Sequence, residues 1–296
     1  MATLRELKTR IGSVSSSEKI TGAMKMISSA KVHKFEQALK RLLPYRDQIK
    51  SIMGHLLDAE GDYTSPLIEA RNEVKRVGVA VFGSDDGLCG AYNINIFKQV
   101  IILLNQLRAK YGKDIEIELY PVGKKIVRPC EKIKGNGVTV TVPDYVNSKM
   151  GADSVSKFTY SLQDKFINGE LDEVHVVYVN FISLSRQRVK DEMLFPISAT
   201  ELTEGPDHQE QNKPYLFEPD ANTIFNKVLP MFVLSTMQEI AIENQASEQA
   251  ARIMAMQSAN DNAKKLLESL RLEFNKLRQQ GITTELLDIL GGQVEQ

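Results

Sequence analysis

Apolar residues recur at steps of three and four through residues 222–290, where Leu266, Leu270, Phe274 and Leu277 share one helix face. Pro230 and Gly281 are the only breakers in that stretch, and Gly291-Gly292 supplies a stop. At about 1.5 Å per residue such a helix reaches on the order of 100 Å, more than an ordinary globular core can bury. A second pattern opens the chain, carried by Leu4, Leu7, Ile11, Val14, Ile20, Met24, Ile27, Phe35, Leu39, Leu42, Ile49, Ile52 and Leu56. Thr3 and Glu6 form a capping box at its start, the serines of residues 13–17 weaken it locally, and Pro44 is expected to kink it near residues 40–44. Two long amphipathic helices at opposite ends of one chain satisfy each other as an antiparallel coiled coil.

From residue 75 the texture changes to short apolar runs alternating with amphipathic stretches, the pattern of βα units on a mainly parallel sheet. Strands are expected at residues 77–82, 115–122, 138–142, 173–181 and 189–197, with helices at 92–110, 123–134 and 154–166. The return between the last two strands is short, so they should form an antiparallel hairpin on an otherwise parallel sheet. Residues 198–220, with three prolines, read as a surface loop. The fold class is therefore α/β: a long antiparallel coiled coil of the N- and C-terminal helices plus a central Rossmann-like domain. The boundaries are 1–74 for the first helix and its connector, 75–220 for the central domain and 221–296 for the last helix.

Charge and cysteine content narrow the field. Thirty-seven Lys+Arg against 38 Asp+Glu leave a net charge of −1, which points away from nucleic acid and from a dedicated membrane-surface role. Cys89 and Cys130 are too few for a disulfide framework and fit a reducing compartment. No apolar run is long enough to span a bilayer, and Arg5, Glu6, Lys8 and Arg10 stand where a signal peptide needs an apolar core. A soluble or peripheral protein that is not exported is expected.

The glycine-rich loop at residues 83–90 follows the first strand, where a nucleotide site could lie. Neither the Gly-x-x-x-x-Gly-Lys-Ser/Thr spacing nor Gly-x-Gly-x-x-Gly occurs, so tight turns and close packing are the favoured use of these glycines over a ligand or partner site. Asp85 and Asp86 read as solvated turn carboxylates rather than metal ligands. His33, His55, His175 and His208 share no spacing with the cysteines or with a serine nucleophile. The flexible thioethers of Met24, Met26, Met254 and Met256 suit either a coiled-coil core or a sliding contact, and two of the four are expected in the core. No catalytic residue, cofactor or metal is expected.

Three separated motifs carry a family resemblance: residues 20–27 (Ile-Thr-Gly-Ala-Met-Lys-Met-Ile), residues 84–93 (Ser-Asp-Asp-Gly-Leu-Cys-Gly-Ala-Tyr-Asn), and the run from Ser247-Glu248-Gln249-Ala250-Ala251-Arg252 to Thr283-Thr284-Glu285-Leu286. Together and in this order they resemble the gamma subunit of F-type ATP synthases, over nearly the whole chain. The resemblance implies a rotating central stalk inside a hexamer of alpha and beta subunits, coupling ion flow through a c-subunit ring to ATP synthesis or hydrolysis. It also implies contact with the epsilon subunit, no direct nucleotide binding, and a peripheral place at the cytoplasmic face of the bacterial cell membrane. Carried onto this chain, it implies a beta contact at Met24, Lys25 and Arg252, a second at Arg278, Gln279, Thr283 and Glu285, and an epsilon and c-ring contact at Tyr215, Phe217 and Glu218. The arginines are expected to stand free of the seam. Gly22 and Ser28-Ser29 depart from the family pattern and suggest less charge facing the beta subunits near Met24. Two other classes compete: a nucleotide-binding enzyme, which would bind ATP or NAD as an isolated chain, and a passive scaffold, which would tolerate loss of its last helical turns.

Overall fold

The first helix starts where its cap dictates. In the computed structural model, Thr3 N–H donates to Glu6 Oε2 (2.8 Å) and Glu6 N–H to Thr3 Oγ1 (3.2 Å), closing a capping box at the start of α1, Leu4–Asp58. The structure describes residues 3–58, 63–198 and 217–292. The serine tract does not interrupt α1, because Ser16 and Ser17 turn their hydroxyls back onto the carbonyls of Gly12 and Ser13. The helix also runs through Pro44, which is exposed. At the other end Asp220 accepts from Thr223 N–H (2.8 Å) and opens the final helix α5, Ala221–Gly292, which continues through Pro230 and Gly281.

Between these helices lie β1 (Arg76–Phe82), α2 (Tyr92–Tyr111), β2 (Glu116–Val122), α3 (Lys124–Glu131), β3 (Val138–Val140), α4 (Ala152–Ile167), β4 (Glu173–Ser183) and β5 (Arg186–Phe195). The sheet order is β3-β2-β1-β4-β5. β1 pairs in parallel with β2 and with β4, β2 in parallel with β3, and β5 closes the sheet antiparallel to β4. The hairpin expected from the short return is thus present, while α3 and β3 are shorter than their sequence patterns.

Both faces of the sheet are covered, which is why β1 reads as an unbroken apolar run. Val77, Val79 and Val81 pack with α2, whereas Ala80 and Phe82 face the core shared with α1, α4 and α5. The chain divides into two compact units: residues 30–251, which hold the sheet, and residues 1–29 with 252–296, which hold the outer parts of the two long helices.

Within the second of these units the helices run antiparallel. Asn260 of α5 donates to Glu18 O (2.7 Å) and to Thr21 Oγ1 (3.2 Å), and Lys25 donates to Gln257 Oε1. Within the sheet-bearing unit, Arg46 of α1 makes an ion pair with Glu239 of α5, and Lys50 sits 5.9 Å from the Phe232 ring centroid.

Candidate functional site

In an open α/β sheet, ligands bind in the crevice beyond the carboxyl ends of the strands where the strand order reverses. Here that crevice lies between β1 and β4, and α5 fills it. The Asn244 side-chain amide donates to Gly83 O (3.1 Å), and its Oδ1 accepts from Val179 N–H (3.3 Å) and from the Tyr92 hydroxyl (2.7 Å). Ser247 donates to Val179 O (3.0 Å) and Gln245 to Ser148 O (3.0 Å).

The glycine-rich loop is packed rather than open. A Cβ at Gly83 would lie 2.6 Å from Ile126 Cβ, and one at Gly123, whose φ is +112°, would lie 2.9 Å from the Ser84 backbone. Asp85 differs from the solvated reading, since it accepts from the backbone N–H of Lys124 (2.9 Å) and of Ser148 (3.2 Å) and so ties the loop to the start of α3. Asp86 makes an exposed ion pair with Lys149. Burial pushes the Cys130 thiol up to about 12, which disqualifies it as a nucleophile near neutral pH. Among the described residues no group of three or more His, Cys, Asp or Glu could hold a metal ion, and no helix is long and apolar enough to cross a membrane.

The outer parts of the long helices are unusual in what they hide. The inward-facing positions of α1 step through Leu7, Ile11, Val14, Glu18, Thr21, Lys25 and Ser28 at threes and fours, so the inward face is polar from Glu18 to Ser28. Ile20, Met26 and Ile27 point out instead, Ile20 at 59% and Met26 at 69% exposure. The apolar pattern of the sequence predicts Ile20 and Ile27 in the seam, one position out of phase with Thr21 and Ser28, which face inward there. On α5 only the first expected position slips: Leu266 is 49% exposed and Leu267 (4%) packs in its place, while Leu270 is buried and Phe274 and Leu277 are half-buried, as the pattern predicts. Gly22 lies against Asn260, whose Nδ2 would be 3.5 Å from an added Cβ, and Ser28 is buried, so these two positions face inward rather than toward a partner.

The chain matches the sequence profile of the ATP synthase family over residues 3–294. It is 37% identical to the ATP synthase gamma chain of Bacteroides thetaiotaomicron, covering all of both chains, and 38% identical to that of Parabacteroides distasonis, covering 99% of this chain and 98% of the other. This chain belongs to the ATP synthase gamma-chain family. It is a rotor-shaft subunit, part of the central stalk of an F-type ATP synthase. Solved structures share the fold: a chain of the Euglena gracilis mitochondrial ATP synthase OSCP/F1/c-ring assembly aligns at TM-score 0.61 and 18% identity, covering 98% of this chain and 93% of that one. A chain of the Tetrahymena thermophila central stalk and c-ring aligns at TM-score 0.53 and 19% identity, covering 81% of this chain and 99% of that one.

The residues that the family resemblance singles out fall into different environments. Arg278, Gln279, Thr283 and Glu285 are exposed on α5. Met24 and Lys25 are half-buried, and Lys25 is bonded across to Gln257. Arg252 is 5% exposed and already engaged, which corrects the expectation that its guanidinium stands free. Phe217 packs on the core beside α5 while Glu218 is exposed, and Tyr215 lies outside the described residues. Met26 and Met254 are outward while Met24 is half-buried and Met256 buried, which matches the expectation of two methionines in the core, whereas Ile20 and Ile27 are outward against the apolar pattern; the signal for them is a heptad in which the polar residues, not the apolar ones, keep step.

Proposed function

We propose that this chain is a non-catalytic shaft whose outer helices work inside a hexamer of alpha and beta subunits. The reversed seam carries the reading: between Glu18 and Ser28, α1 turns polar groups inward and large apolar side chains outward. Exposed apolar groups clustered on a helix mark a surface that partners cover. Met24 and Met26 with Met254 would form a mid-shaft contact, with Lys25 and Arg252 as its support from within. Arg278, Gln279, Thr283 and Glu285 would form an upper contact, Arg278 pairing with beta carboxylates through its forked donors. Residues 75–220 would face the epsilon subunit and the c ring at the cytoplasmic side of the bacterial membrane, and 1–74 with 221–296 would supply the shaft. With α5 filling the crevice at the carboxyl edge of the sheet, nucleotide chemistry is assigned to the partners.

Torque then passes through differential contacts at each angle, which select one conformation of each beta subunit. The test is to assemble the complex with Met26→Glu or Arg278→Ala and compare ATP hydrolysis with ATP-driven ion pumping. Intact assembly with fewer ions pumped per ATP is expected for both. A ratio equal to that of the unmodified complex for both variants overturns the assignment.

A further inference from the structure

The inner part of α5 meets the α/β domain in two chemically different ways. Toward its start, Phe225, Leu229, Val233, Met237 and Ile240 sit in the apolar core. Between residues 243 and 247 the contact becomes polar. Asn180 donates to both Glu243 oxygens (2.8 Å each), Asn244 binds Gly83, Val179 and Tyr92, Gln245 donates to Ser148 O and Met150 O, and Ser247 donates to Val179 O. Asn244 and Ser247 are both buried.

Val179 shows why this band exists. The pairing of β1 with β4 ends at Val177, so the next N–H and C=O on that edge of β4 have no strand beside them. α5 supplies both missing partners, an acceptor from Asn244 and a donor from Ser247. Gly83, just past the end of β1, likewise gives its carbonyl to Asn244. One face of a helix thus continues the sheet where a strand has stopped.

Resting on the rotor reading above, we propose that this polar band is a torsional key that locks α5 to the α/β domain against turning about its own axis, with Asn244 as its positioning residue. Apolar burial depends on area and is non-directional, so it holds the helix in place without strongly fixing its rotation. Hydrogen bonds weaken steeply as their angles open below about 120°, so they fix it. A turn of the helix by one residue, about 100°, removes Asn244 from all its partners and leaves buried donors and acceptors of β4, α2 and the loop unpaired. Tyr92 adds a second restraint, because its hydroxyl also reaches the backbone carbonyl of Asn244 at 2.9 Å. Torque entering through the α/β domain therefore passes into α5 at this band.

The experiment measures torsional stiffness in the assembled complex, with the catalytic hexamer fixed to a surface and a probe on the α/β domain whose angular fluctuations are recorded. Asn244→Ala and Tyr92→Phe are compared with Met237→Ala, which loosens the apolar core of the same helix without touching the band. Stiffness is expected to fall about 1.5-fold in Asn244→Ala, which removes three of the eight side-chain hydrogen bonds of the band, and by less in Tyr92→Phe. Met237→Ala should lower the thermal midpoint with stiffness unchanged. Unchanged stiffness in both band variants, or equal softening in Met237→Ala, overturns the key. Where Asn244→Ala does not assemble, the conservative Tyr92→Phe decides alone. A wild-type complex whose probe does not rotate on ATP addition overturns the rotor reading itself, a result separable from loss of stiffness in a complex that does rotate.

Discussion

Glu243 lies in α5 with its carboxylate against the Asn180 amide, and Glu239, Glu192 and Lys190 act on it from α5 itself and from β5. Burial is the largest influence and pushes its pKa up to about 7, with the Asn180 hydrogen bond opposing it. Because the folded value lies above the ordinary glutamate value of 4.5, the native chain holds a proton across that window which the unfolded chain has released. Stability therefore falls as pH rises from about 4.5 through about 7, and the penalty is complete above that. Glu243→Gln keeps an acceptor for Asn180 and removes the charge. At pH 8 the variant should be more stable than the parent, by on the order of 1–3 kcal/mol, with the gap narrowing toward pH 5. Urea unfolding of the purified chain at both pH values reads this directly, and a pH-independent gap would assign the effect to packing instead.

At the scale of elements, the long helices show how much hangs on phase. An α-helix advances 3.6 residues per turn and a coiled-coil seam needs 3.5, so a pattern read over several heptads drifts by a position. Leu266 and Leu267 are adjacent in sequence, yet only the second is buried. Leu267→Ala should cost about 2–4 kcal/mol through lost burial and a cavity, whereas Leu266→Ala should stay within about 0.5 kcal/mol. Thermal unfolding of the two variants separates them. If Leu266→Ala is the more destabilising, the seam has been placed on the wrong face. The loop after β1 is fixed in the same local sense by backbone clearance, since Gly83 and Gly123 admit no Cβ without moving Ile126 or the Ser84 backbone.

For the whole molecule, the question is which surfaces are left for partners once the chain has satisfied itself. Phe217 is spent partly on the core, while Glu218 beside it is exposed. The epsilon and c-ring contact proposed for Tyr215, Phe217 and Glu218 would therefore rest on the carboxylate and Tyr215 more than on the phenyl ring. Tyr215→Ala combined with Glu218→Ala should reduce recovery of epsilon and c subunits in a pull-down of the assembled complex. Phe217→Ala should instead lower the chain's own stability, by about 1–3 kcal/mol for a partly buried ring. Unchanged recovery in the double variant would place the contact elsewhere.

The sequence by itself determined the elements. The capping box at Thr3 and Glu6, the alternation of short apolar runs with amphipathic helices, and the hairpin of β4 with β5 all follow from signals within a few residues of each other. It also carries the family through three motifs in order, and its glycine spacing matches neither phosphate-binding pattern. Tertiary structure alone decided which groups those elements would bury. Tyr92 and Asn244 are 152 residues apart, and nothing local marks an asparagine in a helix as the partner of a strand that ends elsewhere. The polar seam at Thr21 and Lys25, the engagement of Arg252 and the structural use of Asp85 have the same origin. A polar side chain is free or committed according to the unpaired groups that the fold brings beside it, because a buried donor or acceptor must find a partner wherever in the chain that partner lies.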